Sequence, residues 1–322
     1  MYFNNSNNFF HGIMFHHFHD DKLHSRGQGS ISKDDFYKLI NFIGKKNILS
    51  ADIFFEKFKE DKLTEKEVCL TFDDAIKCQI DIALPVLEDL KIKSFFFVYT
   101  SLFEEKPDNL EIFRHFRMNY FKNVNDFYQS FYQKLNMDLN NFFQKSNSEI
   151  NYKKKKSPHY TIEDIKFRFV RDILLGKKKY ESIMFLMMDE KDFKPKELYN
   201  KLFFSKKDII NLDNLGHLIG LHSHNHPTLF EKLNYSEQNE EYKKSISIIS
   251  KVLNKPKNEI KWMSHPNGSY NQETLEILTN LGIELGFKQI MKLEPEKGMK
   301  YINNSNLEIA RENHSAIIKR MN

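Results

Sequence analysis

The chain has 322 residues, 40% of them hydrophobic, enough for one large core of the size a single α/β barrel needs. Its formal net charge of +5 comes without the dense basic stripes of nucleic-acid binders, so no DNA or RNA partner is expected. An ordinary solvated, lysine-rich surface is the commoner meaning of such a surplus, and steering of an anionic small molecule the rarer one.

Lys or Asp interrupts every Phe/Ile-rich run before it reaches the roughly eighteen apolar residues a membrane helix needs, so no membrane span is expected. The opening segment, MYFNNSNNFFHGIMFHHFHDD, has no basic n-region, no apolar stretch of signal-peptide length and no small-residue cleavage site. Cys69 and Cys78 are the only cysteines, which excludes a disulfide framework and favours a reducing compartment. A cytoplasmic location is the expectation.

In chain order, residues 12–17 (GIMFHH) predict a short buried strand and residues 33–43 a helix opened by Ser32. A second strand at 67–72, an amphipathic helix at 76–90 and a third strand at 94–99 complete a βαβ unit, which implies parallel strands. Between Thr100 and Phe204 the texture turns to Phe, Tyr, Lys and Asn at helical spacing, and a helical insertion is set at 101–210 within a single catalytic domain, 1–322. Its Lys153–Lys156 run reads as a solvated face, although a cap over a barrel mouth would be well placed to choose a substrate.

Strand and helix then alternate again, with strands at 217–221, 260–263, 283–287 and 307–311 and helices near 236–253 and 272–281. About seven strands alternating with helices predict a distorted (β/α)7-type barrel of mostly parallel strands, with functional residues at the strands' C-terminal ends.

Asp73 and Asp74 fall where the second strand ends, at the expected barrel mouth and ahead of a helix. Taken alone, such an aspartate is more often a helix N-cap. The segment Gly220-Leu221-His222-Ser223-His224-Asn225-His226-Pro227 places two imidazoles four residues apart in a stretch that Pro227 keeps from continuing as a helix. Two histidines and a carboxylate suit a divalent metal with one position open for water.

These residues resemble a known family. Asp73-Asp74 within LTFDD, His222 and His226 within HSHNHP, and Ser264-His265-Pro266-Asn267-Gly268-Ser269-Tyr270-Asn271 are similar, in order, to the first three motifs of the polysaccharide deacetylases, the NodB-homology or carbohydrate esterase 4 family. The resemblance implies Asp73 as general base and Asp74, His222 and His226 as ligands of one divalent metal, most often zinc. It further implies the Asn267 backbone N–H, after Pro266, as an oxyanion donor, and His314 as a candidate general acid competing with an exposed tail histidine.

The sequence departs from the family where an arginine early in the third motif commonly holds the base; Ser264 and His265 stand there instead. Either His265 or Arg311 is left to take that role. Of the two histidines ending the first strand, alternation admits one to the mouth, and His17 is favoured. A second metal site built from His11, His16, His17, His19 and His24 competes, but lacks an accompanying carboxylate cluster.

The expected activity is metal-dependent removal of an N-acetyl group from an amino sugar, in a precursor of a surface glycan or glycolipid. Hydrolysis of another carbon–nitrogen amide bond and a non-catalytic sugar-binding module are the alternatives.

Overall fold

The structure, a computed structural model, describes residues 2–3, 9–104, 107–156, 160–289, 291 and 305–321. It divides into two compact units, one of Met1–Asp108 with Asn200–Asn322 and the other of Asn109–Tyr199.

The first unit is built on seven parallel strands: β1 (His11–Phe15), β4 (Val68–Phe72), β5 (Phe95–Val98), β6 (Leu218–Leu221), β7 (Trp262–Ser264), β8 (Leu285–Phe287) and β9 (Arg311–Asn313). Two further strands, β2 (Phe18–His19) and β3 (Ile31–Ser32), form a small parallel ladder after β1. The main sheet runs β8-β7-β6-β5-β4-β1-β9, and a bridge from Phe287 to Ile309, just ahead of β9, nearly closes it. This is the distorted (β/α)7 barrel that the alternation of elements predicts.

Both faces of these strands are buried, as parallel strands flanked by helices require. Ile13, Phe15, Leu70, Phe72, Phe96, Val98 and Leu221 join the core under the outer helices. The alternate positions, Cys69, Phe95, Phe97, Leu285 and Phe287, pack in a separate cluster with Phe54, Phe55 and Phe58. Those three come from the helix Ala51–Lys59, tied by Leu49 N–H to Val68 O and by Ala51 N–H to Lys93 O, at the strands' starts. Aromatic side chains therefore fill the N-terminal end of the barrel and leave chemistry to the other end. Burying each contributes about 1.5–3 kcal/mol.

Three elements differ from the sequence expectation. The first strand stops at Phe15, so His16 and His17 lie beyond it. The expected helix at 76–90 is instead a π-helical stretch, Gln79–Ala83, running into Leu84–Asp89, a distortion that recurs near functional sites. The last strand is Arg311–Asn313, later than the expected 307–311, because the Phe287 to Ile309 bridge uses that earlier segment to close the barrel.

The second unit is helical, from Leu110–Asn119 to Gly176–Glu190. It has its own aromatic core, in which Phe127 and Phe131 meet Phe167 edge-on and Phe131 and Phe167 meet Tyr180 in the same way. The helix Lys206–Asn214, closed at its start by a Ser205–Asp208 capping box, belongs with the barrel.

Candidate active site

Asp73 and Asp74 follow β4 directly, and strand alternation turns Thr71 and Asp73 to the inside while Phe72 packs outward. Asp74 then takes a left-handed backbone, φ 74°, as do Ser223 (61°), His226 (50°) and Asn267 (52°). Backbone in this region costs of order 1–3 kcal/mol per residue and persists only where surrounding contacts impose it. Here they do.

The turn after β6 is tied down along its length. Glu241 accepts from the backbone N–H groups of His224 and Asn225 at 2.9 and 2.7 Å and from the Asn225 side chain at 2.7 Å. Ser223 Oγ accepts the His226 N–H at 3.0 Å, and Ser101 N–H bonds to His224 O at 2.9 Å.

The consequence is convergence of three lone-pair atoms. Asp74 Oδ1 lies 3.3 Å from His222 Nε2 and 3.2 Å from His226 Nε2, and the two nitrogens are 3.1 Å apart. No hydrogen bond in acceptable geometry reaches Asp74 Oδ1, although it is fully buried. His222 Nδ1 faces the Ser264 carbonyl oxygen at 2.9 Å, which only accepts, so the proton sits on Nδ1 and Nε2 offers its lone pair. A tetrahedral ion with bonds of about 2.0–2.1 Å would space its ligands about 3.3–3.4 Å apart. The observed triangle fits such an ion, and among the described residues this is the one group of three metal-type donors.

Beside it, Arg311 forks onto Asp73, with both nitrogen-to-oxygen distances at 2.7 Å, and also donates to Thr71 Oγ1 and Lys288 O. Arginine and aspartate are each 1% exposed, and removing one partner of such a buried pair costs about 3–5 kcal/mol. Burial pushes the Asp73 carboxyl up, but the Arg311 guanidinium, helped by His222 and His16, holds it below the usual range. Burial also opposes ionisation of Asp74, yet His16, His222 and His226 hold it well below that range. Both carboxylates are thus ionised at neutral pH. Gly12 makes the arginine's position possible, because a Cβ there would stand 3.0 Å from Arg311 Cγ.

Of the two candidates for holding the base, the structure therefore puts Arg311 on Asp73. His265 instead bonds Leu307 O at 2.8 Å and stacks on Tyr270 with centroids 4.0 Å apart. Pro266 is buried and opens the turn Pro266–Gly268, in which Asn267 is exposed.

Two expectations need correction. His16, not His17, has its Nε2 3.8 Å from both Asp73 and Asp74 and is partly open to solvent. Because both faces of β1 are buried, its apolar run carries no phase from which to choose. His314 is also not at the carboxylates. Its ring nitrogens each lie 3.1 Å from a backbone carbonyl, of Met14 and Gly29, and its ring stacks on Phe15. Burial pushes its pKa down to about 4. The remaining N-terminal histidines diverge, His11 to Tyr2, His19 to Ser30 and His24 to Asp81, so they do not assemble a second metal group.

The sequence assigns no role to three further residues that contribute. Ser264 Oγ bridges Asp73 Oδ1 at 3.1 Å and His222 Nδ1 at 2.7 Å. Gln79 donates to the backbone oxygens of His16 and Asp73 at 2.9 and 2.6 Å, fixing both at once. Glu241 lies on the helix Tyr235–Leu253, where nothing distinguishes it from its solvated acidic neighbours.

A parallel barrel with a buried carboxylate pair and two histidines at the strands' C-terminal ends defines a hydrolase-type site. The family model for polysaccharide deacetylase matches residues 60–119 and 140–286, and the chain belongs to that family of carbohydrate deacetylases. Among solved structures the chain is similar to the deacetylase PplD of Streptococcus pyogenes in complex with acetate, at 16% identity and a TM-score of 0.54, covering 94% of this chain and 91% of that one. It is likewise similar to IcaB from Ammonifex degensii, at 14% identity and a TM-score of 0.54 with the same coverage. A de-N-acetylase from Aggregatibacter actinomycetemcomitans matches at 13% identity and a TM-score of 0.53, over 93% of this chain and 95% of that one. At these identities the likenesses speak for the fold. No protein of curated function matches the chain by sequence.

Proposed function

We propose that the protein is a metal-dependent hydrolase that removes the N-acetyl group of an amino sugar in a glycan or glycolipid precursor. The observation that carries this reading is the triangle of Asp74, His222 and His226 set beside an aspartate that Arg311 keeps ionised.

The donor set of two imidazoles and one carboxylate suits a divalent ion, with zinc the first choice. When bound, such an ion would polarise the acetamide carbonyl and make water more acidic. Asp73 takes the proton from the attacking water as the new carbon–oxygen bond forms. By the resemblance of the third motif, the Asn267 backbone N–H is the proposed donor to the oxygen that becomes negative. His16, at 3.8 Å from both carboxylates, replaces His314 as donor of the proton that the departing nitrogen takes when the carbon–nitrogen bond breaks. Acetate and a free amine are the products.

Cys69 and Cys78 are both buried and form no disulfide, which supports the proposed cytoplasmic site of action.

The test combines metal content with acetate release from N-acetylated sugars. Purified protein should hold about one equivalent of metal, the His222→Ala variant should lose it, and Asp73→Asn should keep metal while losing turnover. Protein that takes up no zinc, cobalt or nickel sinks the reading.

A further inference from the structure

The helical unit Asn109–Tyr199 contains four arginines, and three of them, Arg117, Arg168 and Arg171, gather around the buried Tyr180. Arg117, on the helix Leu110–Asn119, is 7% exposed, yet makes neither a hydrogen bond nor an ion pair with any described residue. Its guanidinium lies 5.4 Å from the Phe167 ring centroid. Arg168 is half-buried: its Nε is out of contact with water and makes no hydrogen bond, and its guanidinium stacks over Tyr160 at 4.2 Å.

Burial lowers the Arg117 pKa and the like charge of Arg168 adds to this, against a weaker opposing pull from Tyr180, Tyr128 and Asp164. Arg171, 6% exposed, completes the group and is satisfied by a bidentate pair with Asp172 at 2.6 and 2.7 Å. The other nearby carboxylate, Asp164, is fully buried, accepts from the Tyr128 hydroxyl at 2.6 Å and forms no ion pair with Arg117.

A buried guanidinium without a partner is costly, and a second one beside it adds repulsion. Among the described residues Asp172 pairs with Arg171, and no ion pair joins Arg117 or Arg168 to a carboxylate. The wider field has the same sign. Residues 109–199 hold 18 Lys and Arg against 12 Asp and Glu, a charge of +6, so the rest of the chain, with 31 against 32, carries −1 of the total +5. The chain's positive surplus belongs wholly to this unit. A solvated surface explains its lysines, but not Arg117, which is withdrawn from water.

We propose that Arg117 and Arg168 form an anion site that takes a phosphoryl group. Guanidinium donors suit phosphate oxygens, and binding would supply the ion pair that neither side chain makes with a described residue. Tyr160, under Arg168, limits that side chain's movement and so keeps its donors oriented. The site rests on none of the barrel residues, so it stands or falls separately from the deacetylase reading.

The experiment is thermal unfolding of the full chain at constant ionic strength, comparing inorganic phosphate with chloride. Phosphate should raise the midpoint by several degrees in the wild type and by less than a degree in both Arg117→Leu and Arg168→Gln. UDP and dihexanoyl phosphatidic acid, as added arms, separate a nucleotide-borne phosphoryl group from a lipid headgroup by which of them outdoes phosphate. Without phosphate, Arg117→Leu should melt no lower than the wild type, because it removes an uncompensated charge. Should that variant fail to fold, Arg168→Gln decides alone. Equal midpoints in phosphate and chloride, or a phosphate shift that survives in the variants, would overturn the site.

Discussion

Asp73 is buried, ionised and held from two sides, and each hold has a separate consequence. Replacing Arg311 with Met leaves the carboxylate buried without its counter-charge, so its pKa must rise. The expected outcomes are a loss of about 3–5 kcal/mol in a urea titration and an acidic limb of the kcat/KM profile displaced to higher pH. An unchanged limb would show that Asp73 is not the group titrating. Much of this centre is legible in the sequence, because Asp73, Asp74, His222 and His226 sit in short local patterns. Arg311 is less so: it lies 238 residues from Asp73 and only chain closure brings the two together. Ser264 and His16 were visible as residues but not as neighbours of the base, since neither has a partner within reach along the chain.

At the scale of elements, the turn holding His222 and His226 depends on a helix that comes after it. Glu241 on Tyr235–Leu253 ties two backbone N–H groups and the Asn225 amide. Glu241→Gln keeps the shape but weakens these charge-assisted bonds, and metal affinity should fall by about 10–100-fold while Asp73 stays in place. Competition against a chromophoric chelator measures this; an affinity within twofold of wild type would mean that the turn holds its shape without Glu241. Strand packing sets a second constraint. A Cβ on Gly220 would meet Trp262 O at 2.6 Å and the Phe97 ring at 2.7 Å, so β6 can approach β7 only with glycine there. Gly220→Ala should cost about 1–3 kcal/mol, read as a lowered denaturant midpoint. Strand and helix order was readable from periodicity, but strand ends were not, since a run buried on both faces has no alternation to mark where pairing stops.

For the whole molecule, several histidines are buried as neutral rings. His217 accepts from Ser94 N–H at 3.1 Å and packs edge-on against Phe96, and burial lowers its pKa to about 4; His11 and His314 are lowered to the same value. The unfolded chain takes up these protons near pH 6.5 and the folded chain only near pH 4, so stability falls as pH drops through that window and is constant above it. A shift of this size corresponds to about 3 kcal/mol per group. The melting midpoint should therefore decline from pH 7 to pH 5, and decline less in His217→Leu; equal slopes would show that this ring does not resist protonation. By itself the sequence determined the barrel class and the helical character of the middle of the chain, because each is written in spacings of a few residues, while the metal-type triad was legible through the resemblance of its two short motifs to the deacetylase family. Tertiary structure alone decided that Arg311 rather than His265 meets Asp73, that His16 rather than His17 or His314 stands at the carboxylates, and that Arg117 is buried without an ion pair to any described residue. Those outcomes depend on which faces of distant elements meet when the sheet closes, and no local pattern encodes that meeting.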